Sequence, residues 1–173
     1  MREWIPVSTS PKGRLALAAV KEFGSRPFDE VTVTGLAAAA EVTTGALYHH
    51  FDSKLGLYAF VREDVERRLL DRMEGALAAT GPQSDHSAAV TSALLVGLDF
   101  AVRENFLRIL GAPPPRTGKD RLADMLSQSA VPATPLLGPI LAAAWRAALA
   151  AIVDGADPQQ ARAAIGALRI REA

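Results

Sequence analysis

Tyr48, His49 and His50 stand in a row inside the stretch VTTGALYHHF, residues 42–51. Two adjacent imidazoles suggest a metal site, an acid–base pair or a surface that reads another molecule. On a helix, neighbouring side chains diverge by about 100° and cannot close on one ion. Helical metal pairs need a spacing of four, as in H-E-x-x-H. No carboxylate stands four residues from either histidine on the same helix, His86 lies in a linker, and the chain has no cysteine. Metal chemistry is therefore not expected. Neither histidine has a nucleophile to activate, because Ser53 belongs to a helix cap. Recognition is the reading that remains.

The elements that must carry these residues are helical. β-branched residues cluster only at 31–34, and no hairpin signal appears. Ser10 and Pro11 open a first helix that runs to about Ser25. Thr32 caps a second, holding Leu36, Ala37 and Ala40. Thr43 caps a third, ending near Phe51. Asp52 or Ser53 caps a long fourth, to about Ala79. Later helices are expected at about 87–110, broken near Asn105, and at 119–127, 134–154 and 158–169. The last is opened by Asp157, Pro158 and Gln160. The expected fold is all-α: an N-terminal three-helix helix-turn-helix domain, joined through the long helix to a C-terminal bundle. The boundary is placed inside the fourth helix, giving domains 9–55 and 56–173.

Lys plus Arg and Asp plus Glu both number 19, so bulk charge points to no polyanionic partner. The most apolar stretch, 136–153, is interrupted by Gly138, Pro139 and a central Arg146, which argues against a membrane span. The N-terminus lacks the apolar run of a signal peptide, and a cytoplasmic location is expected.

On a helical wheel Leu47 and Phe51 share the inner face of the third helix and His50 flanks it. Gly45, Tyr48 and His49 lie opposite, with Thr44 in the exposed first turn. Such a face, small at its tip and hydrogen-bonding beyond it, fits a major groove about 12 Å wide. Lys54, beside the free N–H groups at the start of the fourth helix, is placed as a phosphate anchor.

The run from Arg14 to Tyr58 resembles the DNA-binding domain of TetR-type transcriptional regulators. The resemblance rests on Phe23, Phe28, Thr32, Val33, Leu36, Ala37, Val42, Thr43, Gly45, Tyr48, Phe51, Ser53, Lys54 and Leu57, all in order. Two residues depart from the pattern. Pro27 and Glu41 stand where the family has glycine, and Glu41 is expected at a mildly strained positive φ. The resemblance implies DNA contacts from Thr32, Thr34, Thr43, Thr44, Gly45, Tyr48, His49 and Lys54. Tyr48 and Lys54 would meet phosphates; Thr44, Gly45 and His49 would meet base edges.

The stretch 134–154 is apolar almost all round and needs cover on both sides, one of them expected from a second copy of the chain. Ala142, Ala143, Ala147, Ala150 and Ala151 permit close approach. The interface is expected at Leu137, Leu141, Ala144, Ala148, Ile152 and Ile165. The family relation implies a homodimer on a pseudo-palindromic double-stranded operator, a repressor released by a small-molecule effector, with no cofactor and no catalysis. The resemblance also implies an effector cavity, for which Met73, Asp99, Phe100, Arg103, Phe106 and Trp145 are the candidates, against the plainer reading of an Asp99–Arg103 ion pair beside core aromatics. The alternative is a helical small-molecule-binding protein or enzyme that uses this cavity without specific DNA binding.

Overall fold

The computed structural model describes residues 9–80, 86–113, 119–129 and 136–168. Among them the regular structure is helical. In order come α1 (Pro11–Ser25), a single 3-10 turn (Phe28–Glu30), α2 (Val33–Ala39), α3 (Thr44–Phe51), α4 (Lys54–Ala79), α5 (His86–Arg103), α6 (Leu107–Gly111), α7 (Arg121–Ser129), α8 (Leu137–Val153) and α9 (Pro158–Gly166). The starts of the early helices are set by side-chain caps. Ser10, Thr32, Thr43 and Ser53 each accept the N–H three residues on, at 3.0, 3.0, 3.2 and 2.9 Å. Asp157 caps α9 through Gln159, with Pro158 at the first position. The sequence's expected start of α8 at Thr134 lies outside the described residues.

Three helix ends share one device. At Glu41, Asn105 and Gly155 the backbone takes φ values of 53°, 58° and 103°. The following amide reaches back to close the helix: Val42 N–H to the Ala37 carbonyl (3.0 Å), Phe106 to Ala101 (2.8 Å) and Ala156 to Ala151 (2.9 Å). Each is a Schellman closure, in which glycine sits without strain and asparagine nearly so. Glu41 holds the expected positive φ against its own Cβ. Asn105 supplies the break expected in the fifth helix.

The chain divides into two compact units, 1–66 and 67–173, with the division inside α4. In the first, α1 packs on both α2 and α3. Leu15, Ala19, Phe23, Leu36, Leu47, Phe51, Leu57 and Val61 form its core. A Cβ at Gly56 would stand 2.0 Å from the Phe51 carbonyl oxygen, so the α3–α4 junction depends on a glycine there.

In the second unit α8 is central, packing against α5, α6, α7 and α9. The indole of Trp145 donates to the Leu94 carbonyl at 3.0 Å. Arg146 grips Asp120 with two hydrogen bonds, 2.7 and 2.8 Å, while Asp120 also caps α7 through Ala123. Burial alone would raise the Asp120 pKa. The Arg146 hydrogen bonds, the Ala123 and Leu122 N–H groups and the guanidinium charge outweigh it and hold the carboxyl below its ordinary value.

Candidate nucleic-acid interface

The α2–α3 pair is built from small residues inside and hydroxyls outside. Leu36, Ala37, Ala40, Leu47 and Phe51 are buried, while Thr32, Thr34, Thr43, Thr44, Gly45, Tyr48 and His49 are all exposed. Tyr48 is 52% exposed, a large aromatic with no place in the core. Thr32 and Thr43 use their oxygens as acceptors for the caps. Each hydroxyl therefore keeps its proton, which can be donated to a phosphate oxygen, a group that only accepts. His49 is exposed and His50 half-buried, their rings 4.9 Å apart. The wheel split the pair the same way.

Lys54 is placed differently from the other seven. It is half-buried, and its ammonium donates to the carbonyls of Phe28 and Val31, both at 2.9 Å. It also stands 4.1 Å over the Phe28 ring. Phe28 in turn packs with Phe23 and Tyr58, centroids 5.0–5.7 Å apart within the trio. The spacing of the motif shows only that a lysine opens α4; it is silent about carbonyls 23 and 26 residues away.

A second basic feature lies on α1. Arg14, Leu17, Ala18 and Lys21 recur at helical spacing and, with Ala39, Ala40 and Glu41, line an open groove of about 380 Å³. Arg14 reaches the Glu41 carbonyl at 3.4 Å. The i, i+3, i+4, i+7 pattern was present in the sequence but is also that of an ordinary scaffold helix.

The proposed cavity residues do not form one group. Met73, Phe100, Phe106 and Trp145 are buried. Phe100 meets Phe106 edge-on at 5.4 Å and carries the Arg72 guanidinium 4.3 Å over its face. Asp99 and Arg103 are exposed and do not pair with each other. Asp99 accepts from Arg162 of α9, and Arg103 pairs with Glu104. The i, i+4 spacing permitted the pair, but tertiary packing offered Asp99 a second arginine.

The interface residues read from the α8 sequence also separate. Leu141 and Ile165 are buried in the chain's own core, at 5% and 3% exposure. Leu137, Ala144, Ala148 and Ile152 are half-buried. The open face of α8 instead carries Leu136, Pro139, Ile140, Ala143, Ala147, Ala150 and Ala151. An all-round apolar helix gives a wheel no means of choosing between its sides.

Among the described residues no group of three or more His, Asp or Glu could hold a metal. No described helix is long and apolar enough to cross a membrane.

Residues 16–60 match the family model described as bacterial regulatory proteins, tetR family. No curated protein matches the chain. Among solved structures, a TetR-family transcriptional regulator from Pectobacterium atrosepticum is 22% identical, with TM-score 0.68 over 88% of this chain and 86% of that one. A TetR-like regulator from Rhodococcus sp. RHA1 is 22% identical, with TM-score 0.66 over 94% of both chains. A putative tetR family regulator from Shewanella sp. PV-4 is 20% identical, with TM-score 0.67 over 94% of this chain and all of the other. Residues 16–60 thus match the tetR family of bacterial regulatory proteins, and the chain as a whole has the fold of the TetR-family transcriptional regulators among the solved structures.

Proposed function

We propose that the chain binds a pseudo-palindromic operator as a homodimer and represses the neighbouring genes. A small molecule held by the C-terminal unit would release it. The observation that carries DNA reading is the exposed row of Thr43, Thr44, Gly45, Tyr48 and His49 on a helix whose inner face is fully committed to the core. Thr32 and Thr34 continue the row at the start of α2. In this reading hydroxyls and helix N-termini hold phosphates, and Thr44, Gly45 and His49 read base edges.

The homodimer is supported by the open face of α8. Leu136 and Ile140 are 67% and 59% exposed, and the four alanines beside them allow close approach. A patch of this kind on a helix end-to-end is what a second copy covers. Two modest reading heads then act together through effective concentration, which suits an α3 without Lys or Arg. The effector, the repression and a cytoplasmic site of action are supported by the family relation. The same relation, with no catalytic constellation in the sequence, supports a non-enzymatic role.

The test is fluorescence anisotropy of the purified protein on the DNA upstream of its own gene against scrambled DNA. Preference for the cognate DNA, reduced by Thr44→Ala and by His49→Ala, supports the reading. Equal affinity for both DNAs, or operator preference that survives Tyr48, His49 and Thr44 all changed to Ala, refutes it.

A further inference from the structure

We infer that Glu41 and Asp52 act as an electrostatic brake on DNA binding: two free carboxylates, one at each end of α3, repel the phosphate backbone and hold affinity down without altering which sequence is preferred. The inference rests on the DNA-binding reading above and names what limits the strength of that contact.

The backbone singles out both residues. Among the described residues, three other than glycine have positive φ: Glu41 at 53°, Asp52 at 62° and Asn105 at 58°. Two of the three bracket α3, and both are acids. Glu41 stands two residues before the Thr43 cap, and Asp52 ends the helix, its amide closing on the Tyr48 carbonyl at 2.9 Å. A Cβ at such φ values crowds the backbone, and glycine would sit there without that cost.

Nothing among the described contacts offsets the cost. Both residues are exposed, and among the described residues neither carboxylate has a hydrogen bond or an ion pair. The helix-start amides that a carboxylate could meet are taken by the hydroxyls of Thr43 and Ser53. Arg14 lines a groove with Glu41 and Lys21, but it donates to the Glu41 carbonyl and not to its carboxylate. Both negative charges are therefore left without a close counter-charge.

Their place decides what they do. Two residues of chain span at most about 7 Å, which bounds the separation of Glu41 from Thr43. Asp52 follows Tyr48 and His49 by about one helical turn, roughly 5 Å. At about 0.1 M salt a charge is felt over about 10 Å, so any phosphate that meets those side chains also meets the carboxylates. The row of Thr43, Thr44, Gly45, Tyr48 and His49 carries no Lys or Arg to cancel them. A phosphate repels a carboxylate whatever base it bears, so the effect is independent of sequence.

Glu41→Gln and Asp52→Asn keep the shapes and remove the charges. Each should tighten binding about threefold, and the two together about tenfold, at about 0.1 M salt. Anisotropy on the upstream DNA and on scrambled DNA reads this, and the gain should be equal on both. It should shrink as salt rises, so that the slope of log K against log salt concentration steepens. Asp124→Asn removes an exposed acid from α7, in the other unit, and changes the net charge equally. It should leave affinity near the wild-type value. Unchanged or weaker binding by the double variant overturns the proposal, as does an equal gain from Asp124→Asn. A loss confined to the upstream DNA would assign a carboxylate to a cytosine amino group and overturns it too. So does a lowered unfolding midpoint with unchanged affinity, the result expected if the acids serve only the helix dipoles.

Should an amide variant not fold, Glu41→Gly and Asp52→Gly remove the same charges from backbone that suits glycine, and they must show the same gain. The scrambled-DNA arm needs no operator preference. Wild-type protein that fails to prefer the upstream DNA defeats the functional reading. The brake stands or falls on whether the double variant binds scrambled DNA more tightly than wild type does.

Discussion

Gly45→Ala separates folding from recognition, because the two should move in opposite directions. Gly45 is exposed at the second position of α3. A Cβ built there meets only the Thr43 hydroxyl oxygen, at 3.7 Å, which is ordinary contact. Nothing inside the chain resists the methyl group. Alanine at an exposed helical position is favoured over glycine by about 0.5–1 kcal/mol. Thermal unfolding of the variant should therefore shift upward by a few degrees. On DNA the methyl lies at the tip of the reading helix, where the closest approach to a base edge is expected. Forcing one extra carbon into a well-packed contact costs about 1–3 kcal/mol, or roughly a tenfold to hundredfold loss of affinity. The assay pairs a melting curve with anisotropy on the upstream DNA. A variant that is more stable and binds as tightly as wild type would refute a close approach at Gly45. A loss of both stability and binding would refute the open space around it.

Other outcomes can be stated more briefly. Glu41→Gly removes a Cβ from the left-handed backbone at φ 53° and should raise stability by about 1 kcal/mol in urea unfolding; a loss would mean that the glutamate side chain makes a compensating contact. Ile140→Glu puts a charge into the open face of α8 and should convert the proposed dimer to monomer in sedimentation equilibrium, with the helical content kept. A dimer that persists would place the interface elsewhere. Asp120 is held below its ordinary pKa, so its pairing with Arg146 stabilises the fold above about pH 4 and is lost as pH falls through the depressed value. Asp120→Asn should accordingly be destabilising at pH 7, with the gap to wild type narrowing towards pH 3; an equal gap at both would contradict the linkage.

Local signals were the legible ones. Ser10, Thr32, Thr43 and Asp157 announced their helices because a cap is decided by a residue and the amides just after it. Glu41 and Asn105 marked turns for the same reason. The inner and outer faces of α3 were readable because Leu47 and Phe51 contrast with Tyr48 and His49. Where contrast or locality was lacking, the sequence offered no means of choosing. The α8 sequence is apolar on every side, so the choice of Leu141 over Ile140 for the interface had no basis in periodicity. Asp99 had an arginine four residues away and took one 63 residues away. Lys54 stands in a motif that reads as an anion site, yet its partners are two carbonyls contributed by a distant turn. Each of these depends on which elements meet, a property of packing that spacing along the chain does not encode.

The setting of Trp145 has a practical consequence. Its indole is enclosed, at 1% exposure, and its N–H is held by the Leu94 carbonyl. Both tyrosines, Tyr48 and Tyr58, belong to the N-terminal unit. With Trp4→Phe, the remaining tryptophan reports on the C-terminal unit alone, and the tyrosines on the DNA-binding unit. The folded protein should then emit at short wavelength from a dry indole, and the emission should move to the red only when the α5–α8 packing opens. Exciting the two chromophore types in one titration would follow the melting of each unit by its own colour, with no label attached.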